Sequence, residues 1–323
     1  MNLRSSMLLI AAAGSACRLL QAQSSASVDA PIVLTVEVQN HVQYRGDTFD
    51  LSKIAKDPNI TTSAVTTFIT AFNMGDIRSV NGDASKGLWS SPNQILPFRA
   101  SPQPGQPIAD IDSGGMSQCV WQIVTADGKY IGTLIDNGAS PSPHHIVTGG
   151  AGIFLGMTGV HGSAQTVVPP RNASTAEDPA NRRNLGGGSL RITFYLYPKT
   201  RPAVITTSGG PAVTHADGKL VSSASPAQAG ELLTLYATGM GPTTPFVEIG
   251  QPFPQGSPYR VNAPVEVKIN GQSSEVLYAG GYAGAVDGYQ VNFRVPAGVP
   301  LGTANLQLTA GWIPGAAVAI ATK

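Results

Sequence analysis

The side chains best suited to metal or nucleophilic chemistry are five histidines and two cysteines, and their spacing argues against both. His144 and His145 are adjacent, so in an extended chain their imidazoles point to opposite faces and are poorly placed to share one ion. His41, His161 and His215 are isolated in the sequence, which contains no HExxH or CxxC motif. We therefore predict no metal and no cofactor, and expect His144 and His145 to lie in a surface loop.

Cys119 lies in SQCVWQIV, a segment with the alternating character of a strand. No histidine or acid is marked by its spacing as a partner for this thiol. A buried, inert cysteine is therefore favoured over a nucleophile. The other cysteine, Cys17, falls at the N-terminus, so no disulfide framework is expected.

Acidic residues form two groups that could do chemistry. Asp110 and Asp112 are two apart, which on a strand places both carboxylates on one face as a candidate polar pair. Asp136 is followed by Asn137 in LIDNG. Such groups can supply acid and base or bind Ca²⁺, but at strand ends they more often cap turns. Turn capping is the favoured interpretation of both groups.

The stretch VTGGAGIFLGMTGVHG, residues 147–162, is rich enough in glycine to suggest a phosphate-binding loop. It lacks the Gly-x4-Gly-Lys-Ser/Thr pattern of a P-loop, and its spacing does not fit the dinucleotide fingerprint. Glycines inside strands instead mark bulges, bends or close backbone approach. A backbone kept clear for a ligand is the alternative. The glycines interpreted as structural are Gly149, Gly150, Gly152, Gly156 and Gly159.

The elements that must position these residues are predominantly strands, because apolar and polar residues alternate with period two along most of the chain. LTVEVQNHVQY, from Leu34, and LRITFYLY, from Leu190, are the clearest cases in the first half. Asp127-Gly128 predicts a tight hairpin turn. The one helical pattern is DLSKIAKDP, residues 50–58. PPRNASTAEDPANRRNLGGG, residues 169–188, is predicted to be a loop, either disordered or functional, whose charged side chains are solvated.

Composition supports an all-β protein and argues against a nucleic-acid partner. The chain has 20 basic and 19 acidic residues, a net charge of +1 and no run of like charge that could bind a phosphate backbone. Only 12% of residues are charged, while 37 glycines and 25 prolines supply turn formers.

The N-terminus has the pattern of an export signal over residues 1–23. Arg4 precedes a short apolar run at 7–16, which is too short to span a bilayer. The mature protein is therefore expected to be secreted, periplasmic or at the cell surface, without a transmembrane segment. Small residues before Cys17 leave lipidation at that cysteine as an alternative to simple secretion.

A shift in composition after Tyr197 predicts two domains. We place a barrel domain at 30–199, a linker or first strand at 200–222, and a second domain at 223–323. In the second domain roughly seven short strands, with turn signals every eight to twelve residues, follow the pattern of an immunoglobulin-like (Ig-like) β-sandwich.

The second half also carries a family resemblance. It resembles the uncharacterised C-terminal domain of many secreted acidobacterial (Solibacter-type) proteins in two segments, SPAQAGELLTLYATGMGPT and APVEVKINGQSSEVLYAGGYAGAVDGYQVNFRVPAGVPLG. The resemblance covers about residues 223–320. It implies an Ig-like sandwich with no assigned activity.

The first half is similar to the allene oxide cyclase and dirigent protein superfamily. Two segments carry the resemblance: VTGGAGIFLGMTGVHG and the preceding CVWQIVTADGKYIGTLI. In the first segment, Ala151 stands where Thr is usual and Met157 where a small residue is usual. The resemblance implies a closed antiparallel barrel of eight strands with a central cavity. Plant members cyclise an oxidised fatty acid or steer the coupling of phenoxy radicals. Their catalytic residues lie outside these motifs, so no catalytic residue is assigned.

A barrel of eight strands is either filled by side chains or holds one small ligand, and the sequence leaves both open. The candidate lining residues are Tyr44, Trp121, Tyr130 and Phe154. The leading hypothesis is an exported, non-enzymatic binding or cell-envelope interaction protein of open oligomeric state. One alternative is a barrel that binds a small hydrophobic ligand and directs its cyclisation or coupling. The second is a glycan-binding module with an aromatic platform formed by Tyr259, Tyr282 or Trp312.

Overall fold

The computed structural model describes residues 30–45, 69–99, 111–140, 144–162, 164–174 and 176–323. The predicted signal at 1–23, with Cys17, the helical pattern at 50–58, and Asp110 lie outside the described residues. Asp112 falls in a described strand, but only as backbone.

The first half is a closed antiparallel barrel of eight strands, as predicted. Each of the first six strands pairs with the next; the seventh pairs with β10, which pairs back to the first. Two short strands, β8 and β9, extend the sheet beside the last and first strands. The bounds are β1 (Ile32–Arg45), β2 (Ile69–Val80), β3 (Asp83–Arg99), β4 (Ile111–Val124), β5 (Tyr130–Ser140), β6 (His145–Gly152), β7 (Thr158–His161), β8 (Gln165–Val168), β9 (Arg171–Ser174) and β10 (Gly188–Tyr197).

Alternating side chains explain why these segments form a barrel with a filled interior. On β1, Leu34, Val36 and Val38 are buried. Glu37, between them, points outward and accepts a hydrogen bond of 2.6 Å from Arg191 on β10. One buried and one solvated face is what period-two alternation provides.

The glycine-rich stretch folds as the β6–β7 hairpin. The turn of this hairpin buries Phe154 against the backbones of Gly132 and Gly150. A Cβ on Gly132 would overlap the Phe154 ring, and a Cβ on Gly150 would overlap the Phe154 carbonyl oxygen. Gly152 has φ +64°, a conformation that favours glycine. Gly149, by contrast, has nothing within 4 Å of its Cβ position, so no steric reason requires glycine there.

The predicted loop between β8 and β10 carries structure of its own. It contains β9, a 3₁₀ turn (Pro179–Asn181) and the short helix α1 (Arg182–Leu185). Arg182 is 5% exposed and donates a 2.5 Å hydrogen bond to the Asp76 carboxylate on β2. The expectation that the charges of this loop are solvated is therefore wrong for Arg182, because a buried carboxylate pairs with it. Within the described ranges, no helix is long and apolar enough to cross a membrane.

The second half is also entirely β, and its strands pair antiparallel around fully buried side chains such as Leu235, Val267, Val291 and Leu306. These strands are β11 (Ala203–Val204), β12 (Thr206–Thr207), β13 (Gly210–Pro211), β14 (Val213–Thr214), β15 (Leu232–Thr238), β16 (Thr243–Thr244), β17 (Arg260–Val261), β18 (Val265–Ile269), β19 (Gln272–Gly281), β20 (Tyr289–Arg294), β21 (Gly302–Ala310), β22 (Ile313–Pro314) and β23 (Val318–Thr322). The all-β prediction is confirmed.

Candidate metal centre

Four side chains of metal-ligand type converge inside the barrel: Cys119, Asp136, His145 and His161. One ligand atom from each lies within 4.8 Å of the ligand atoms of the others. Cys119 is 3% exposed, Asp136 0% and His161 4%, while the His145 side chain retains 20% exposure. These four residues are hereafter the buried tetrad.

Two hairpins bring the buried tetrad together. The register of the β4–β5 hairpin places Cys119 directly opposite Asp136. The register of the β6–β7 hairpin places His145 directly opposite His161. Directly opposed residues on one face of an antiparallel pair have Cβ atoms about 5 Å apart. The two adjacent hairpins therefore each supply one pair of ligands to the barrel interior.

Asp136 accepts hydrogen bonds through both carboxylate oxygens. Its Oδ1 accepts from His145 Nδ1 at 2.7 Å, and its Oδ2 accepts from Trp121 Nε1 at 2.5 Å. Burial by itself raises the pKa of this carboxyl, but the hydrogen bond from His145 and the close approach of the His161 ring outweigh it and leave the pKa below its ordinary value. Asp136 is therefore an ionised carboxylate in the barrel interior.

His161 has one nitrogen satisfied and one without a partner. Its Nδ1 donates to the Gly162 carbonyl oxygen at 2.8 Å, which fixes the tautomer of the neutral ring with Nε2 as a lone-pair donor. That Nε2 lies 3.2 Å from Asp136 Oδ1, yet it makes no hydrogen bond. Two electron-pair donors facing each other in a buried site are compensated by a cation between them, either a proton on Nε2 or a bound metal ion.

His145 is held on both sides of its ring. Its Nε2 lies 3.2 Å from Ser117 Oγ, while its Nδ1 faces both Asp136 and the Cys119 sulfur, the latter at 3.7 Å. The ring lies over Gly138 on β5, where a Cβ would overlap it. Glycine at this position therefore makes room for the imidazole.

Cys119 is neutral in this environment without a metal ion. Burial, followed by the charge of Asp136, raises the pKa of its thiol to about 12. Its Sγ lies 3.4 Å from Ser91 Oγ. The prediction that Cys119 is buried is confirmed, but the premise that it lacks an acidic or histidine partner is wrong, because Asp136 and His145 both face it.

Two of the separations between ligand atoms are close to those around a four-coordinate ion of the size of zinc, and all of them are within 4.8 Å. Zinc–ligand bonds of 2.0–2.3 Å in a tetrahedron place ligand atoms about 3.2–3.7 Å apart. The Sγ–Nδ1 separation of 3.7 Å and the Oδ1–Nε2 separation of 3.2 Å meet this condition. The 2.7 Å contact between Asp136 and His145 is shorter because a proton lies between those two atoms.

The outward atom of each polar ligand already has a partner that fixes its orientation. Trp121 holds the second oxygen of Asp136, the Gly162 carbonyl holds the second nitrogen of His161, and Ser117 holds that of His145. Metal-binding histidines and carboxylates are commonly oriented in this way by a second layer of hydrogen bonds. All three ligands thus direct their remaining ligand atoms to the same point, and a metal ion there would displace the proton between His145 and Asp136.

Aromatic rings surround the buried tetrad on one side. Trp121 stacks on Trp89 with centroids 5.3 Å apart and meets Phe194 edge-on at 5.2 Å. His41 meets the other end of this row, 4.9 Å from Trp89. Its Nε2 hydrogen-bonds Asn73 at 3.1 Å, while burial lowers its pKa. These rings keep the centre dry on that side.

Of the four predicted lining residues, Trp121 alone makes a described hydrogen bond to the buried tetrad. Phe154 is buried in the β6–β7 turn. Tyr44 is buried at the segment 179–181, donating to the Pro179 carbonyl at 3.4 Å. Tyr130 is half-buried at the start of β5, with its hydroxyl 3.0 Å from Thr133 Oγ1. A common lining formed by all four rings stays a prediction.

Two further expectations are wrong. His145 begins strand β6 and turns its ring inward, instead of lying in a surface loop, because β6 pairs with both β5 and β7. Asp136 is in the middle of β5 and fully buried, so it does not cap a turn.

The three rings considered for a glycan platform have separate neighbours. Tyr282 is exposed and meets Tyr236 edge-on at 5.3 Å. Tyr259 packs on Phe253, with centroids 5.9 Å apart. Half-buried Trp312 donates to Asp83 of the barrel at 2.7 Å.

No family model matches this sequence, and no curated protein is significantly similar to it. The function is therefore inferred from the geometry of the buried tetrad.

Proposed function

We propose that this protein is a metal-binding β-barrel whose buried tetrad holds one Zn²⁺ or a similar divalent transition-metal ion. The observation that carries the proposal is the Nε2 of His161, which is buried, has no hydrogen-bond partner and faces the Asp136 carboxylate. A cation between these atoms satisfies both. Without one, the arrangement leaves a polar atom uncompensated in the core.

The ligand types select the class of ion. Thiolate and imidazole ligands suit zinc, copper and related ions, whereas Ca²⁺ and Mg²⁺ require oxygen ligands. The buried tetrad offers one sulfur, two nitrogens and one carboxylate oxygen. An oxygen-preferring ion would find one suitable protein ligand among the four.

Charge balance also favours a divalent cation. A thiolate at Cys119 and a carboxylate at Asp136 carry two negative charges, and the two imidazoles are neutral when they bind a metal. A divalent ion brings the net charge of the centre to zero. A buried centre of zero net charge avoids most of the cost of placing uncompensated charge in a medium of low dielectric.

Metal content after exhaustive dialysis tests the proposal. We expect the full chain, loaded with ZnSO₄, to retain about one zinc per chain, with the Co²⁺-substituted protein showing a thiolate-to-cobalt charge-transfer band that Cys119→Ser lacks. His161→Ala is expected to weaken binding by at least about 100-fold, and His215→Ala, in the second half, to leave it unchanged. Retention of zinc by His161→Ala at the wild-type affinity would contradict the assignment.

A second candidate function is acyl transfer or hydrolysis at Ser117. Ser117 Oγ, His145 and Asp136 follow the order nucleophile, base and orienting acid, with Oγ 3.2 Å from Nε2 and Nδ1 2.7 Å from Oδ1. The metal proposal is preferred because it also gives roles to Cys119 and His161. Labelling of Ser117 by a fluorophosphonate probe, abolished in Ser117→Ala, would favour the hydrolase.

The export of the protein and the fold of its second half also remain proposals. We propose that the protein is exported, as the leader pattern at 1–23 indicates, and that the second half is an Ig-like sandwich, which its alternating antiparallel strands support. The leading hypothesis of an exported binding protein is kept, with a metal ion as its ligand. A small hydrophobic ligand in the barrel, and its cyclisation or coupling, is supported by the superfamily resemblance alone.

A further inference from the structure

We infer that the ion in the buried tetrad is exchangeable and is transferred to and from small chelating molecules past His145, so that the barrel acts as a metal carrier. This inference rests on the proposed metal site. It concerns how the ion enters and leaves, which the existence of the site does not determine. Exchange breaks the bond between the ion and His145 and forms a bond to the incoming ligand, with no change in oxidation state.

Unequal exposure of the four ligands is the first observation. Cys119, Asp136 and His161 are between 0% and 4% exposed, whereas the His145 side chain is 20% exposed. An incoming ligand therefore meets His145 before any other member. When His145 moves away, three buried ligands still hold the ion.

The surroundings of His145 are the second observation. The inner face of its ring lies on Gly138, which has no side chain to enclose it. Its Nε2 is restrained by the hydroxyl of Ser117, a partly exposed residue on β4. One hydrogen bond to a hydroxyl group therefore restrains the ring at Nε2.

The positions of the ligands along their strands are the third observation. Cys119 and Asp136 lie within β4 and β5, with paired residues on both sides. His145 is the first residue of β6. Strand ends open with lower free energy than strand interiors. His161 is also at a strand end, as the last residue of β7, but its side chain is 5% exposed against 20% for His145, so His145 is the ligand with more freedom to move outward.

A site of this kind differs in kinetics from a closed structural site. Metal leaves a fully enclosed site only when the protein opens, so the release rate does not depend on the chelator. At a site with one exposed ligand the chelator attacks the bound ion, and the release rate rises with chelator concentration. The dependence on chelator concentration therefore separates a carrier from a structural site.

The test is stopped-flow transfer of zinc from the loaded full chain to 4-(2-pyridylazo)resorcinol over a hundredfold range of chelator concentration. We expect the rate to rise in proportion to chelator concentration. A rate that is constant over the whole range would overturn the inference while leaving the metal site intact. Failure of the site itself is seen earlier and separately, as absence of zinc from the dialysed protein.

Two variants locate the path at His145. Ser117→Ala removes the restraint on the ring and is expected to speed transfer several-fold per bound zinc, with zinc content measured in parallel, while Ser273→Ala, an exposed serine on β19, leaves the rate unchanged. His145→Ala is expected to retain zinc more weakly and to transfer it faster still, with the same proportional dependence on chelator. Wild-type transfer rates in both Ser117→Ala and His145→Ala would exclude His145 as the entry point.

Discussion

At the scale of single residues, Trp121 has two separable roles: its ring fills the core, and its N–H orients a carboxylate. The indole Nε1 donates to Asp136 Oδ2 at 2.5 Å and leaves Oδ1 directed at the other ligands. Trp121→Phe keeps an aromatic ring but removes the donor. We expect zinc affinity, measured by competition with a chromogenic chelator, to fall about 10- to 100-fold, the usual effect of losing such a partner.

Trp312→Phe is the matched control for this change. Trp312 also donates its N–H to an aspartate, Asp83, but this pair lies outside the buried tetrad. Its loss should leave zinc affinity unchanged. Equal losses of affinity in the two variants would show that the effect of Trp121→Phe comes from general destabilisation and not from orientation of Asp136.

Gly138 gives a second prediction at this scale. A methyl group on Gly138 would overlap the His145 ring, so Gly138→Ala should displace that ring and reproduce the affinity loss of His145→Ala. The same substitution at Gly149, which has open space at its Cβ position, should leave both zinc affinity and folding unaffected. Isothermal titration of zinc into the two variants checks this, and unchanged affinity in Gly138→Ala would contradict the assigned ring position.

Half of the buried tetrad could have been found from the sequence. The Asp127-Gly128 turn was recognised, and Gly128 has the positive φ that such a turn requires. Counting outward from that turn places Cys119 opposite Asp136, the register that the strands adopt. The histidine pair was missed because the glycine-rich stretch was interpreted as a bent strand segment, and only its folding as a hairpin brings His145 opposite His161.

At the scale of elements, one carboxylate accepts several of the hydrogen bonds that fix the segment containing α1 to the barrel. Asp76 accepts from Arg182 at 2.5 Å, from Arg183 at 2.8 Å and from Asn40 at 2.9 Å. Burial alone would raise the pKa of Asp76, but these hydrogen bonds lower it. The carboxylate therefore contributes stability above its unfolded pKa, and this contribution is lost as pH falls through the lower folded value.

Asp76→Asn should lower the free energy of unfolding by about 3 kcal/mol at pH 7, because it leaves the buried Arg182 guanidinium without its counter-charge. Urea unfolding measures the difference, which should shrink under acidic conditions. Glu37→Gln is the control, since the exposed pair of Glu37 with Arg191 is worth less than about 1 kcal/mol. Equal effects of the two substitutions would contradict the anchoring role.

His215 offers the opposite dependence on pH in the second half. Its Nδ1 donates to Glu231 at 2.5 Å and its Nε2 to the Ser225 carbonyl at 3.0 Å, so the ring is held with both nitrogens protonated. The hydrogen bond that His215 donates to Glu231, opposed by burial, raises the pKa of His215 above its ordinary value of 6.5. Its stabilising effect is complete below the unfolded pKa and is lost as pH rises through the folded one.

His215→Gln should therefore destabilise the protein most at acidic pH. The difference in unfolding free energy from wild type should decrease as pH rises above the raised pKa, when the native imidazole also becomes neutral. Urea titrations at several pH values test this. A difference that is constant with pH would mean that His215 acts through packing and not through its charge.

The elements that sequence reasoning missed depend on contacts between distant residues. Strands were predictable because alternation is local, as β1 and β10 illustrate. The segment around α1 was interpreted as a solvated loop because the pairing of Arg182 with Asp76 joins residues 106 positions apart. A short helix without an apolar face leaves no periodic hydrophobic pattern in the sequence from which it could be predicted.

At the scale of the whole molecule, folding and metal binding are expected to be coupled. The ligands of the buried tetrad come from four consecutive barrel strands, β4 to β7, so the site exists only when those strands are assembled. An ion that binds the folded state alone adds about 2.7 kcal/mol of stability at a free concentration of 100 times Kd. The melting temperature should therefore rise when zinc is added and fall back with excess EDTA.

The coupling predicts which additions have no effect. Ca²⁺ and Mg²⁺ should leave the melting temperature unchanged, because the cluster offers them one carboxylate oxygen and three unsuitable ligands. The melting temperature of His161→Ala should rise far less on zinc addition than that of wild type. Asp76→Asn should melt at a lower temperature than wild type but show a zinc-induced rise of similar size, because Asp76 contacts none of the four ligands in the described hydrogen-bond network. A zinc response that is retained in His161→Ala would mean that the ion stabilises the protein from another site.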